Sequence, residues 1–206
     1  MAGRGLAGVL ARQCVLIAKC RSDSRLPRKD RQYLGMSLSP LPLLRVAEAA
    51  DLWTVTCDRA SAADAVLGWR DSGLEVRALR GTKMQTVQGV FDEFSAALQF
   101  PSYFGENWPA FDECLSDMDW LPLAGGLVLL VLDADLVLLE GSDELPTLIR
   151  TLAKASETYS TPIERGEWWD RPAVPFHAVL QSAPGHGDTT QSRWKAAGAA
   201  LLAFEQ

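Results

Sequence analysis

Residues 126–132 read GLVLLVL, and from Leu127 to Leu132 no side chain is polar. A strand with one wet face alternates apolar and polar residues. An unbroken Val/Leu run of this length is the pattern of a strand buried on both faces in a parallel sheet. It stops at Asp133 and Asp135, far short of the about 20 apolar residues that cross a bilayer. On its N-terminal side, Leu52–Cys57 (LWTVTC) and Leu74–Leu79 are further strand candidates. Helices are predicted over Ala62–Asp71, over Val87–Leu98 and over Trp108–Met118; in the second, Val87, Val90, Phe91, Phe94 and Leu98 recur at helical spacing. On its C-terminal side come a helix over Leu145–Glu157, a last strand at Phe176–Gln181 and a helix over Arg193–Phe204. Strands alternate with helices, so the class is α/β: a small, mainly parallel sheet packed with helices.

At 206 residues, with 48% hydrophobic and 22% charged side chains, the chain is ordinary globular material that can stabilise itself without disulfides or metal. Its charge is unevenly spread. Residues 1–35 carry eight Lys/Arg against Asp23 and Asp30, a charge of +6, and show no apolar periodicity. They are expected to form a disordered basic tail, and Met36, where the character changes, is a candidate start. Residues 36–50, with Pro40 and Pro42, read as a linker. A βα extension over 51–73 is expected to add an edge strand to a domain spanning 74–182, and 183–206 to form a C-terminal tail. Between Lys83 and Arg150 lie 66 residues with 12 carboxylates and no Lys or Arg. Such a surface repels nucleic acid and attracts a basic partner.

Cys14, Cys20, Cys57 and Cys114 form no C-x-x-C pair, and with only His177 and His186 they assemble no zinc set. They are expected to be reduced thiols of a cytoplasmic protein. Neither a metal nor a cofactor is called for.

Residues 100–118 read FPSYFGENWPAFDECLSDM. Asn107 or Trp108 can cap a helix that tolerates Pro109 in its first turn. Phe111, Leu115 and Met118, with Cys114 beside them, make the buried face; Asp112, Glu113, Ser116 and Asp117 make the other. Glu113 and Asp117, four apart, repel at a cost of about 0.2–0.5 kcal/mol. A hydrated exposed face and a surface that receives a cationic partner both fit this pattern.

The run F-P-x-Y-F-G-E-N-W-x-A-x-x-E-C-L resembles the barstar family of ribonuclease inhibitors, and the order of surrounding strands and helices matches over about 110 of the 206 residues. The resemblance implies a barstar-like parallel sheet with packed helices and no catalysis. It implies a cytoplasmic immunity protein or antitoxin, a monomer in a 1:1 complex. Its partner is a basic, guanyl-preferring ribonuclease or nuclease toxin, whose active site is blocked by the loop and acidic helix acting as a phosphate mimic. Tyr103 matches the family's contacting loop tyrosine, and Glu113 its central acid, usually aspartate. Asp112 stands at a tryptophan and Ser116 at a threonine of the type member, while Pro109 and Met118 replace a contacting aspartate and tryptophan. The expected contact set is Tyr103, Phe104, Gly105, Asn107, Trp108, Asp112, Glu113, Ser116 and Asp117.

Two alternatives stand beside it. One is a non-inhibitory acidic protein-binding module. The other is a small hydrolase built on Asp133/Asp135 or on Cys114 with His177, against which Cys114 counts as a buried thiol. Trp168 and Trp169, in the insertion Tyr159–Pro175, are expected to pack as a lid over the sheet or to make a second partner contact.

Overall fold

A computed structural model describes residues 41–49 and 52–204; the basic tail lies outside them. Strands β1 (Leu52–Thr56), β2 (Glu75–Arg80), β3 (Leu127–Leu132), β4 (Phe176–Ser182) and β5 (Leu201–Ala203) form one sheet in the order β2-β3-β4-β1-β5. Every neighbouring pair is parallel. Around it lie α1 (Leu41–Leu44), α2 (Arg59–Asp71), α3 (Val87–Leu98), α4 (Trp108–Ser116), α5 (Leu145–Ser160) and α6 (Gly187–Ala196). Among the described residues no helix is long and apolar enough to cross a membrane.

Alternation along the strands divides the core in two. Leu127, Leu129, Val131, Phe176 and Ala178 face α3, α4, α5 and α6, which contribute Phe94, Phe111, Leu148 and Trp194 among others. Val128, Leu130 and Val179 face the opposite side, under Leu44 of α1 and Trp69 of α2. The helix starts follow from side-chain oxygens that satisfy free backbone N–H groups. Asp58 accepts from Ser61 N (2.7 Å) and Thr86 from Gly89 N (3.0 Å). The α3 end turns on Gln99 at φ 55°.

Three expectations are corrected. Residues 41–44, read as linker, form a turn of helix with Leu44 fully buried; Pro42 falls in the first turn, where its missing N–H costs nothing. β1 is no edge strand, because it lies between β4 and β5. The C-terminal helix begins earlier than expected, at Gly187, and residues 201–203 are a strand rather than its end. The fully buried Trp194 anchors that helix, its indole N–H donating to Ala134 O (3.0 Å). Gly198, at φ 98°, then turns the chain into β5.

His177 of β4 is buried on the α1 side, its Nε2 3.1 Å from Val46 O. A carbonyl accepts only from a protonated Nε2, so the neutral ring leaves Nδ1 bare and without a partner. Burial holds the ring's pKa down to about 4, with the Val46 contact opposing.

Candidate functional site

The loop between α3 and α4 is built on aromatic packing. Phe104 meets Phe100 (5.0 Å between ring centroids) and Phe91 (5.9 Å), and Trp108 meets Phe91 (5.0 Å) and Phe111 (5.5 Å). Asn107 caps α4: its Oδ1 accepts from Ala110 N (3.0 Å) and its Nδ2 donates to Gly105 O (2.9 Å). A Cβ on Gly105 would sit 2.9 Å from that amide, so a larger residue would disturb the cap. Glu106, at φ 47°, accepts from Gln88 Nε2 (2.8 Å) and ties the loop to α3. Phe104, Asn107 and Trp108 thus hold the loop's shape. Tyr103 projects from it, 76% exposed.

Helix α4 buries Phe111, Cys114 and Leu115, with Met118 just beyond its end. Glu113, Asp117 and Asp119 are exposed, while Asp112 and Ser116 are half-buried. Asp112 is paired with Lys154 of α5, so its charge is already compensated. Burial pushes the Asp117 carboxyl above its ordinary value, and Asp119 and then Glu113 push it further. Burial, with the acids Glu113 and Asp117, raises the Cys114 thiol and keeps it protonated. Behind the helix end, Tyr159 Oη accepts from Met118 N (3.0 Å). Burial raises that phenol; the Met118 hydrogen bond and Arg171 oppose the rise, and Asp117 and Asp119 add to it. The nine expected contact residues therefore sort into exposed groups, structural groups, one compensated acid and Ser116, whose Oγ is buried without a partner. Sequence reasoning sees Asp119 in the acid run but leaves it out of the contact set, because it follows the expected helix; it misses Lys154, whose contact spans 42 positions that no local pattern reports.

Of the hydrolase alternative, Cys114 and His177 are not brought together, and Asp133 and Asp135 are each engaged by another side chain. His177 lies across the sheet from α4 and Cys114. Asp133 pairs with Arg59, and Asp135 Oδ2 with His186 Nδ1 (2.9 Å). At the C-terminal ends of the strands, where parallel sheets collect ligands, the fully buried Gln181 donates to Cys57 O (2.6 Å) and accepts from Asp133 N (3.0 Å).

The tryptophan lid is a further correction. Trp168 is 88% exposed and Trp169 47% exposed, and they pack edge to face on each other (5.4 Å). Neither belongs to either core cluster, so they form no lid over the sheet.

Comparisons with known proteins give two different likenesses. The model of the family described as Barstar (barnase inhibitor) matches residues 74–181. No curated protein matches the chain. Among solved structures, Cdc6p from Pyrobaculum aerophilum is similar at a TM-score of 0.51 and 16% identity, over 88% of this chain and 46% of that one. The Aeropyrum pernix ORC1 protein in complex with DNA is similar at 0.48 and 15%, over 89% and 46%. Drosophila ORC bound to AT-rich DNA and Cdc6 gives 0.47 and 12%, over 84% and 54%. The chain spans about half the length of these structures. At such identity the Cdc6p likeness concerns the fold alone, a parallel α/β sheet covered by helices.

Proposed function

The chain belongs to the barstar family, and from that premise we propose that it inhibits a basic, guanyl-preferring ribonuclease or nuclease toxin by laying α4 and its preceding loop into the enzyme's active site. On this reading β2, β3 and β4 with α3, α4 and α5 make a barstar-like unit, to which β1 and β5 are added beyond β4. The protein is a non-enzymatic cytoplasmic antitoxin, a monomer in a 1:1 complex. Tyr103, Glu113 and Asp117 are its exposed contacts and Ser116 touches the enzyme through the exposed part of its residue, with Gly105 allowing close approach and Phe104, Asn107 and Trp108 fixing their positions. Ribonucleases hold RNA phosphates with Arg and Lys clusters, so carboxylates on a rigid helix can take the phosphate positions.

The observation that carries this reading is the uncompensated acid group at the end of α4. Burial, then Asp119 and Glu113, raise the cost of ionising Asp117, and no ion pair among the described residues offsets it there. A cationic partner relieves that cost on binding. Lys154 has removed Asp112 from the group, so the acid lost at Pro109 is not replaced there.

The test is titration of the chain against barnase and a panel of other small basic guanyl-preferring ribonucleases, read by cleavage of a fluorogenic RNA. Stoichiometric inhibition of at least one enzyme is expected. Its association rate should fall between about 0.02 and 0.5 M salt, because screening shortens the reach of exposed charges to about 10 Å at 0.1 M. Failure to inhibit any member overturns the reading.

A further inference from the structure

The hairpin between α5 and β4 is more rigid than a surface connection requires. Ile163 and Arg171 exchange both backbone hydrogen bonds (2.8 and 3.1 Å). Asp170 accepts from Arg165 N (3.0 Å) and Gly166 N (2.7 Å), and Gly166 takes φ 80°. Arg171 lies 4.8 Å above the Tyr159 ring and donates to the carbonyls of Thr158 (2.9 Å) and Thr161 (3.3 Å). All this order presents Trp168 and Trp169 to water, in a segment where the exposed acids Glu164, Glu167 and Asp170 outnumber the exposed base Arg165. Neither indole is needed to close a core.

The hairpin springs from the same end of the molecule as the acid group of α4. The Tyr159 side chain links the two, its ring under Arg171 and its oxygen on Met118 N. Helix α4, at nine residues, is only about 13 Å long. A standard interface of about 800 Å² per partner is about 30 Å across, so α4 alone does not span one.

Resting on the inhibitor reading, we propose that Trp168 and Trp169 form a second contact with the same basic nuclease, taking a cationic or apolar surface of the enzyme beside its active site. Tryptophans held in place before binding, among carboxylates, suit arginine- and lysine-rich surfaces through stacking and cation–π attraction. Because the indoles pack on each other over a hydrogen-bonded hairpin, less freedom is lost on docking than for isolated surface side chains. Short-range contacts of this kind govern dissociation rather than encounter.

The experiment uses the full chain with W168A, W168A/W169A and E113Q, each measured for Tm, for association and dissociation against every enzyme that the unaltered chain inhibits, and for self-association by sedimentation. At 88% exposure Trp168 packs on Trp169 and not on the core, so W168A should leave Tm nearly unchanged and keeps the test informative if the double variant loses stability. The expected result is at least a tenfold faster dissociation for W168A/W169A, with association changed less than about threefold. Unchanged dissociation for both tryptophan variants, alongside weakened binding by E113Q, overturns this inference and leaves the role of α4 standing. A tryptophan-dependent dimer of the free chain with unchanged nuclease dissociation assigns the pair to self-association and overturns it equally. No inhibition of any enzyme by the unaltered chain overturns the parent reading and this one together.

Discussion

Replacing Asp117 by asparagine should stabilise the fold and weaken the complex. Asp117 caps the C-terminal end of α4, its N–H donating to Glu113 O (3.0 Å), where the helix dipole disfavours a negative charge by about 0.3–1 kcal/mol. Glu113, one turn back, adds about 0.2–0.5 kcal/mol of like-charge repulsion. The neutral amide would keep the shape without either cost and would also relieve the partial burial of the charge and its repulsion with Asp119, so the gain is at least roughly 0.5–1.5 kcal/mol, or about 1–6 °C in Tm for a domain of this size. The pH dependence has a fixed sign. Asp117 has its folded pKa raised above the unfolded one, so its penalty exists only where it is ionised. The gain of D117N is therefore full at about pH 7, shrinks as pH falls through the carboxylate range and is gone by about pH 3. Thermal melts of both chains at the two pH values, at low and high salt, make the measurement. A variant no more stable at neutral pH, or one with an equal advantage in acid, refutes the electrostatic account of this helix end. In the nuclease titration the same variant should bind more weakly, the opposite sign.

Glu113→Gln should hold or slightly raise Tm while costing about 2–5 kcal/mol of nuclease binding, mostly as faster dissociation; surface plasmon resonance on the immobilised enzyme checks both rates. Tyr159→Phe keeps the ring stacked on Phe176 but orphans Met118 N, so urea unfolding should show a loss of about 1–3 kcal/mol. His177 must stay neutral to remain buried, with its pKa held down to about 4. Since the unfolded chain takes up that proton first, stability should fall by up to about 3 kcal/mol as pH drops from about 6.5 to about 4. His177→Phe should flatten that slope.

What could be read from the residues alone followed the range of the forces involved. The apolar run of β3 and the spacing of Val90, Phe91, Phe94 and Leu98 in α3 are local, and both elements stand where the pattern puts them. The cap at Asn107 and the buried face Phe111–Leu115–Met118 were legible for the same reason. The three residues of β5 carry no periodicity of their own, and pairing with a strand about 150 positions away makes them a strand. Helix α6 is polar throughout most of its length, with Trp194 as its large apolar side chain, so its burial depends on contacts with Ala134, Val137 and Leu138 that sequence does not advertise. At the site, exposed charge was visible in composition. Its partial cancellation by Lys154 and the outward placement of Trp168 were not, because both depend on how α5 lies against its neighbours.

The position of β1 has a kinetic consequence. Its partners in the sheet, β4 and β5, both lie more than a hundred residues later in the chain, so it leaves the ribosome with nothing to pair with. Strands β2, β3 and β4 can assemble from nearer neighbours, while β1, whose Trp53 and Val55 share a cluster with Ala62 and Trp69 of α2, must wait for β4 and β5 with its backbone edges unpaired. Contact order of this kind slows folding and prolongs the life of an unpaired apolar edge. The strand that lengthens the sheet is thus also where a folding chaperone would be expected to act.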